Sequence, residues 1–547
     1  MPFYLYIILA YLLVLTTLNF IRARRVKSQE DFMVAGRSLK WQVMVFTLIC
    51  TWIGSGTFIS GAEFASKAGF SALWLAGGAW VGIIIIYFLA GKIHTFGQYT
   101  VGDLLEVRYG PAARLFGAVA LILSFIAIVS YQFVAGGFIL NVASDGRIPE
   151  SLGTVLAAGF VILFTALGGM VAIAYTDLPN GIIIVLACLL AVPFVYLSAG
   201  GWSQATQSLG PGYFAAVNNQ FGAHPWLKVI GYFLSTMFLL LGVQSMYQKF
   251  YSARSAKDAK KAVIWWTLGT IFVETMVVVI AVFAYSKLQG QIDLSVPKEG
   301  GKIVLMAARS LVPAPVGVLL LGAACAVVLS TGMNYLLSPS TTLMRDIYQR
   351  FIKKDADQKQ MVALQKVLVV LIGVLAFLLA VQLRSVLEMS FFAYTIYGVA
   401  ITPALIAALA WKRATRAGGL ASIISGTLVS VVFFVLSKVL PAEKVPDGDP
   451  WGIPLIYPAL LASLLSLIVV SLLTPKPKPE DLEKFFQKKI GSPLEDRNRQ
   501  GQPLSRTQNG RFSSRKSPTA RGHLQDAGGR QRSSPAHPGR TSTGRGE

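Results

Sequence analysis

Charge is what this sequence has least of: Asp, Glu, Lys and Arg make up 14% of its 547 residues, while 54% are hydrophobic. Soluble globular chains carry about 25% charged residues. The composition therefore excludes an ordinary soluble protein of this length and points to a chain that crosses a membrane many times. Cysteine is nearly missing too. Cys50, Cys188 and Cys325 each lie inside an apolar run, spaced for neither a zinc site nor a disulfide framework, and read as small buried hydrophobes. Histidine occurs four times, with no His-Glu-x-x-His pattern and no plausible triad, and no Walker A loop is present to hold a nucleotide. Nothing here asks for enzymatic chemistry. Acidic residues are outnumbered by basic ones, 26 to 49, for a net charge of +23. In a soluble chain that excess would suggest nucleic acid. Here residues 475–547 alone hold 16 Lys/Arg and 7 Asp/Glu, and most of the remainder sits in short loops. That is a topology signal, not a nucleic-acid surface.

What the sequence has in abundance is apolar runs of about 20 residues, enough to cross a hydrocarbon core of about 30 Å. Thirteen candidate spans lie near 3–21, 41–66, 72–91, 115–141, 153–169, 177–199, 229–248, 263–286, 316–343, 363–383, 389–410, 418–440 and 452–473. The first, "FYLYIILAYLLVLTTLNFI", is followed rather than preceded by its basic residues, "RARRVK", which predicts a retained span and not a cleaved leader. Loops after alternate spans are basic: 22–27, Lys92 with Arg108 and Arg114, 249–261, 345–354 and 411–416. The positive-inside rule then places the N-terminus outside and the C-terminus in the cytoplasm of a plasma membrane, expected to be a bacterial inner membrane. Beyond Pro475 the chain becomes rich in Arg, Ser, Gly and Pro, a composition expected to stay disordered.

Three polar stretches interrupt the spans. "TLICTWIGSGTF" (47–58) sets Gly54, Ser55 and Gly56 in the middle of a span. A broken membrane helix is tolerated where protein or a water-filled cavity satisfies the freed carbonyls, and such carbonyls can coordinate a small cation. Close packing of small residues is an equally good reading of this stretch alone. "LSPSTTLMRDIY" (337–348) gathers Ser338, Ser340, Thr341 and Thr342 around Pro339. Ser338 and Thr342 read as hydroxyls bonded back to the preceding turn, and Ser340 and Thr341 as oxygen ligands, given carbonyls from another element. Asp177, in "GGMVAIAYTDLPNG", is an intramembrane carboxylate and so a functional candidate. A helix cap competes with that reading.

These stretches resemble the sodium:solute symporter family. "GGMVAIAYTD" with Asn180 is similar to that family's Gly-Gly-x-x-Ala-Val-x-x-Thr-Asp-x-x-Gln motif, and "SPSTTLMRDIY" to its hydroxyl-rich helix ending in Asp-Ile-Tyr. "VQSMYQKFYSARS" (243–255) resembles its Gln-x-x-x-Gln-Arg segment, with Lys249 in the Arg place, and "FMVAGRSLKW" (32–41) the stretch before its first broken helix. The resemblance covers roughly residues 1–475. It implies an all-α, leucine-transporter-like core of two inverted five-helix repeats within about 13 transmembrane helices. The expected divisions are a first span and basic loop (1–27), a first repeat (28–199), a second repeat (200–417), two C-terminal spans (418–474) and the basic tail (475–547). By motif, the sodium site maps to the Cys50, Ile53 and Leu337 carbonyls and the Ser340 and Thr341 hydroxyls, with Asp177 as a relay on the sodium path. Asn180 departs mildly from the usual Gln. Leu343 and Met344 stand where members with a second sodium carry hydroxyls, so one sodium per cycle is expected.

Sodium then serves as the co-transported ion for a small organic solute. Trp52, Ser55, Trp80, Tyr131, Gln132 and Gln244 are the candidate solute contacts. "TWIG" resembles the stretch of choline-transporting members, whose aromatic offers a cation–π surface. Val243 replaces their second aromatic, and proline-type members carry an acid at the Trp52 position. A proton-coupled symporter with Asp177 as carrier is the near alternative. A membrane solute sensor is the alternative of another class, for which the short tail offers no signalling domain.

Overall fold

Backbone in a bilayer has no water to satisfy it, so apolar runs must form helices or a closed barrel. Among the described residues all regular structure is helical, apart from one isolated parallel bridge between Leu39 and Ala253. The computed structural model describes residues 3–486 except 25–27, 98, 220, 297, 354–356 and 384. The principal helices are α1 (Phe3–Ala23), α2 (Trp41–Trp52), α3 (Ala62–Ala68), α4 (Leu73–Phe96), α5 (Val101–Tyr109), α6 (Pro111–Ala143), α7 (Glu150–Ser198), α8 (Pro225–Gly242), α9 (Gln244–Ser252), α10 (Ala256–Leu288), α11 (Ala314–Thr342), α12 (Gln358–Val381), α13 (Val386–Ala410), α14 (Arg416–Val439) and α15 (Ile456–Leu473). Their starts follow local chemistry. Pro111 opens α6 at its first turn, and Ser255, Ser385 and Thr415 cap α10, α13 and α14 with side-chain oxygens.

Among the described residues twelve segments are long and apolar enough to cross a membrane. One of them, Gly56–His94, is divided at Gly69 (φ 66°), and its first part continues the short apolar helix Trp41–Trp52. Counting those two halves as one broken span gives the thirteen expected. Glu150–Ser198 is a single 49-residue run whose backbone turns at Gly169 (φ 53°, ψ −157°), making two spans of it. A Cβ at Gly169 would lie 2.7 Å from the Phe32 ring, so the turn and the packing both require glycine.

Among the described residues two further helices are interrupted, at Ile53 and at Val243. α2 ends at Ile53 (φ −71°, ψ 97°), and a wide turn, Gly56–Gly61, leads into α3. The second break was not expected, since 229–248 reads as one continuous span: Val243 (φ −64°, ψ 120°) separates α8 from α9. Its freed groups are satisfied by one side chain, Tyr397 of α13, whose hydroxyl accepts from Gln244 N (3.0 Å) and donates to Gly242 O (2.9 Å). Gly242 permits that approach, because a Cβ there would meet Thr402 Oγ1 at 2.1 Å.

The start of the stretch expected to stay disordered is folded. Pro479–Phe486 is helical, with Phe485 buried against Phe96 (ring centroids 5.0 Å apart) and Lys92 above Phe486. An acidic first turn and a Phe pair give this segment something to dock with. The rest of the tail lies outside the described residues.

Candidate functional site

The first break is held by its neighbours, since α2 packs against α7, α9, α10 and α11. Gly54 brings the chain so near α11 that a Cβ would lie 2.7 Å from Thr331 Cγ2. That approach sets the freed carbonyls against hydroxyls. Thr331 Oγ1 donates to Cys50 O at 2.8 Å and to Ile53 O at 3.2 Å, and Ser330 Oγ lies 3.3 Å from Cys50 O. Leaving such carbonyls buried and unpaired would cost about 1–3 kcal/mol each. The result is a cluster of four oxygens, two carbonyl and two hydroxyl, of the kind that suits a hard cation.

Asp177 stands at the edge of this cluster, fully buried. It lies well inside α7 after the Gly169 turn, so it is not a helix cap. Its carboxylate accepts from Thr47 of α2 and from Ser330 and Asn334 of α11. With Asp177 taking the Ser330 proton, the Ser330 lone pairs are free to face a cation. Lys249 of α9, also fully buried, donates to Asn334 Oδ1 and lies 3.2 Å from Met170 Sδ. The motif position read as a loop residue therefore carries an ammonium group into the protein interior, one side chain away from Asp177.

On the other side of the break is a small cavity lined by Trp52, Gly56, Thr57, Thr236, Glu274 and Tyr394, with Ala72, Leu75, Ala76 and Val278 among the apolar walls. About 30 Å³ of it is open to water, so an organic solute must widen it on binding. Glu274, in the middle of α10, accepts from Trp52 Nε1 at 3.0 Å and, on its other oxygen, from Trp80 Nε1 at 2.7 Å. Tyr131 stands one step behind, its hydroxyl 3.3 Å from that of Tyr394. Gln132 Oε1 accepts from Ser55 N at 3.2 Å, while Ser55 Oγ and Gln132 Nε2 are buried with no partner.

The geometry brings together Cys50, Ile53 and Asp177 near the cation cluster, and Trp52 and Trp80 at the cavity. It does not bring Leu337, Ser340 and Thr341 to Cys50 and Ile53. Ser340 and Thr341 lie ten residues beyond Ser330 and Thr331, about 15 Å further along the same helix. Their hydroxyls donate to Leu337 O at 2.7 and 3.0 Å, and Thr341 accepts from Gln365, which is the back-bonded role expected above only for Ser338 and Thr342. Gln244 is likewise not at the cavity. Its amide donates to Ser338 O (3.0 Å) and Thr342 Oγ1 (2.7 Å) and accepts from Val101 N (3.1 Å), leaving it fully engaged at the second break. Sequence reading passed over Ser330, Thr331 and Glu274. The signal for Glu274 was present, as a lone acid inside an apolar span. For Ser330 and Thr331 the signal was the "LSTGMN" stretch, which only the register of α2 against α11 picks out.

Comparison with known proteins places this geometry. The model of the sodium:solute symporter family matches residues 32–426. The chain is 26% identical over 489 residues to the high-affinity proline transporter of Bacillus subtilis (strain 168), covering 84% of this chain and 96% of that one. It is 26% identical over 490 residues to the sodium/proline symporter of Haemophilus influenzae, covering 83% and 92% respectively. Among solved structures, a Na+-coupled sialic acid symporter in a substrate-bound outward-open state shares the fold with a TM-score of 0.71 at 17% identity, covering 87% of this chain and 98% of that one. Mhp1, a nucleobase-cation-symport-1 family transporter in a closed conformation, follows with a TM-score of 0.55 at 14% identity over 83% and 97%.

Proposed function

The chain belongs to the sodium:solute symporter family, and from that premise we propose that it imports a small organic solute by binding sodium and solute on opposite sides of the first broken helix. The observation that carries the proposal is the meeting of the Cys50 and Ile53 carbonyls with Thr331 Oγ1 at 2.8 and 3.2 Å. Sodium is the cargo of this site, held by those two carbonyls and the Ser330 and Thr331 hydroxyls. The Val327 carbonyl, three residues before Ser330 as Leu337 is before Ser340, completes the set. Asp177 holds the Ser330 proton and lies on the inward path. The solute sits at the cavity beside Trp52, Trp80 and Tyr394, with Ser55, Tyr131 and Gln132 around the break.

The two repeats, 28–199 and 200–417, supply one broken helix each, and rocking of one bundle against the other alternates access. The basic loops support an outside N-terminus and a cytoplasmic C-terminus, and the bacterial relatives support a bacterial inner membrane. A cation entering through 100 mV releases about 2.3 kcal/mol, enough to sustain a neutral solute at a ratio of roughly fifty. The test is uptake into proteoliposomes under separately imposed sodium and proton gradients, with L-proline, the solute named for the relatives, as the first trial. Sodium alone should drive uptake, and Ser330→Ala/Thr331→Ala should abolish its sodium dependence while Ser340→Ala/Thr341→Ala leaves it within about threefold. Equal loss in both double variants would overturn the site. Uptake driven by protons without sodium would favour the proton-coupled reading.

A further inference from the structure

Glu274 is the one charged side chain lining the cavity, and it is 5% exposed. It lies in the middle of α10, where an acid is among the most expensive residues to bury. Buried carboxylates are ordinarily held by a cation. The partners of Glu274 among the described residues are all uncharged: Trp52 Nε1, Trp80 Nε1 and, at 3.5 Å, Thr57 Oγ1. Indole N–H can only donate, so the two tryptophans present donors to the carboxylate and place their rings beside it. An acid without a cation, in an aromatic-walled cavity, is matched by a ligand that supplies both the charge and the N–H donors.

We propose that the cavity takes a solute carrying a protonated amine, and that Glu274 selects it by exchanging an indole N–H for an ammonium N–H. Tyr394 also lines the cavity and offers an aromatic surface to the cation. This rests on the symporter reading in one respect, that the solute sits in this cavity. Glu274 is a specificity residue; the sodium oxygens lie on the other side of α2 and do not include it.

The full-length protein in lipid nanodiscs is titrated, in sodium chloride, with pairs that differ only in amine against hydroxyl: L-alanine with L-lactate, 4-aminobutyrate with 4-hydroxybutyrate, and ethanolamine with ethylene glycol. L-Proline is the cyclic secondary amine of the panel, and betaine and choline are the cations without N–H. Tryptophan fluorescence reports binding, since Trp52 and Trp80 change partners. At least one N–H amine should bind, with its hydroxyl counterpart at least tenfold weaker. Glu274→Gln, which keeps an acceptor oxygen, should weaken the amine at least tenfold while sodium alone still produces a fluorescence response. Trp80→Phe, which removes the competing neutral donor, should hold or raise amine affinity. The proposal is overturned if no amine binds, if the hydroxyl or quaternary compounds bind as well as the amine, or if folded Glu274→Gln binds the amine within threefold. Loss of the response to sodium alone in the wild type would instead count against the symporter reading, so the two failures are distinguishable.

Discussion

Gly54→Ala tests whether the first break is held against α11 for the sake of the cation site. The added Cβ would lie 2.7 Å from Thr331 Cγ2, 2.8 Å from Thr331 Oγ1 and 3.0 Å from Thr331 Cβ. Ordinary contact begins at 3.4 Å, so the Thr331 side chain must retreat by about 0.7 Å, or the helices must part. Thr331 is the side chain whose hydroxyl reaches both Cys50 O and Ile53 O, and it has no slack to give. Overpacking of this kind costs about 1–3 kcal/mol, and a hydroxyl lost from a charged ligand costs about 1.5–3 kcal/mol. Either figure corresponds to a rise of roughly fivefold or more in the sodium concentration for half-maximal uptake. Thr331→Ser removes the nearest atom, Cγ2, and keeps the hydroxyl, so in the double variant it should recover at least about threefold of that loss, a coupling expected only between touching residues. The assay is sodium-dependent uptake into proteoliposomes at fixed solute, with folding checked by gel filtration. If folded Gly54→Ala shifts the sodium requirement by less than twofold, the register of α2 on α11 does not make the site. If Thr331→Ser adds to the loss, the methyl is not the obstacle.

The Gly169 turn carries a stability prediction. Gly169→Ala must place a side chain at φ 53°, 2.7 Å from the Phe32 ring, and should cost more than about 2 kcal/mol, read as a lowered thermal unfolding temperature in detergent; an unchanged midpoint would refute it. Glu106 of α5 carries the pH prediction. Burial pushes its carboxyl up, but Arg114 (2.6 Å) and Arg350 (2.7 Å) outweigh it and hold Glu106 below its ordinary value. A depressed folded pKa means stabilisation that is present above the ordinary Glu range and is lost as pH falls through the lowered value. Arg350→Gln raises that value, so acid unfolding of the variant should begin at higher pH; a midpoint equal to or below the wild type would contradict the assignment.

The thirteen spans and the break at Gly54 were legible because both are local. An apolar run of fixed length must be a membrane helix, and Gly-Ser-Gly inside one weakens it wherever it folds. The break at Val243 was not legible from "LLLGVQSMYQ", since its freed groups are satisfied by Tyr397, 153 residues from Gln244. The same reason applies to the proposed cation site. Ser330–Thr331 and Ser340–Thr341 are both hydroxyl pairs on one helix, and nothing within that helix says which pair meets α2. Ten residues turn a helix by about 1000°, so the two pairs also occupy different faces. The choice is made by Gly54, on a different helix, through a contact visible only once the two are packed. Glu274 is the opposite case: its signal was entirely local, one acid among apolar neighbours.

On the proposed assignment both sites are built from a single turn, which gives sodium and solute reason to feel one another. Cys50 and Ile53 turn their carbonyls toward α11, while Trp52, between them in sequence, turns its indole toward Glu274 on α10. A cation drawing the two carbonyls together fixes the backbone of residues 50–53, and with it the place of the Trp52 ring. A ligand that takes Glu274 from Trp52 loosens the same ring from α10. Coupling of this kind is a difference in affinity between states, of order 1–3 kcal/mol where it has been measured, and it is reciprocal. Sodium must therefore raise solute affinity by the same factor, roughly 5–150-fold, by which solute raises sodium affinity. A helix continuous through residues 50–56 would bond these carbonyls internally and leave sodium nothing to pull. On the proposed assignment the Gly54–Gly56 interruption is thus the element through which a gradient of one ligand becomes work on the other.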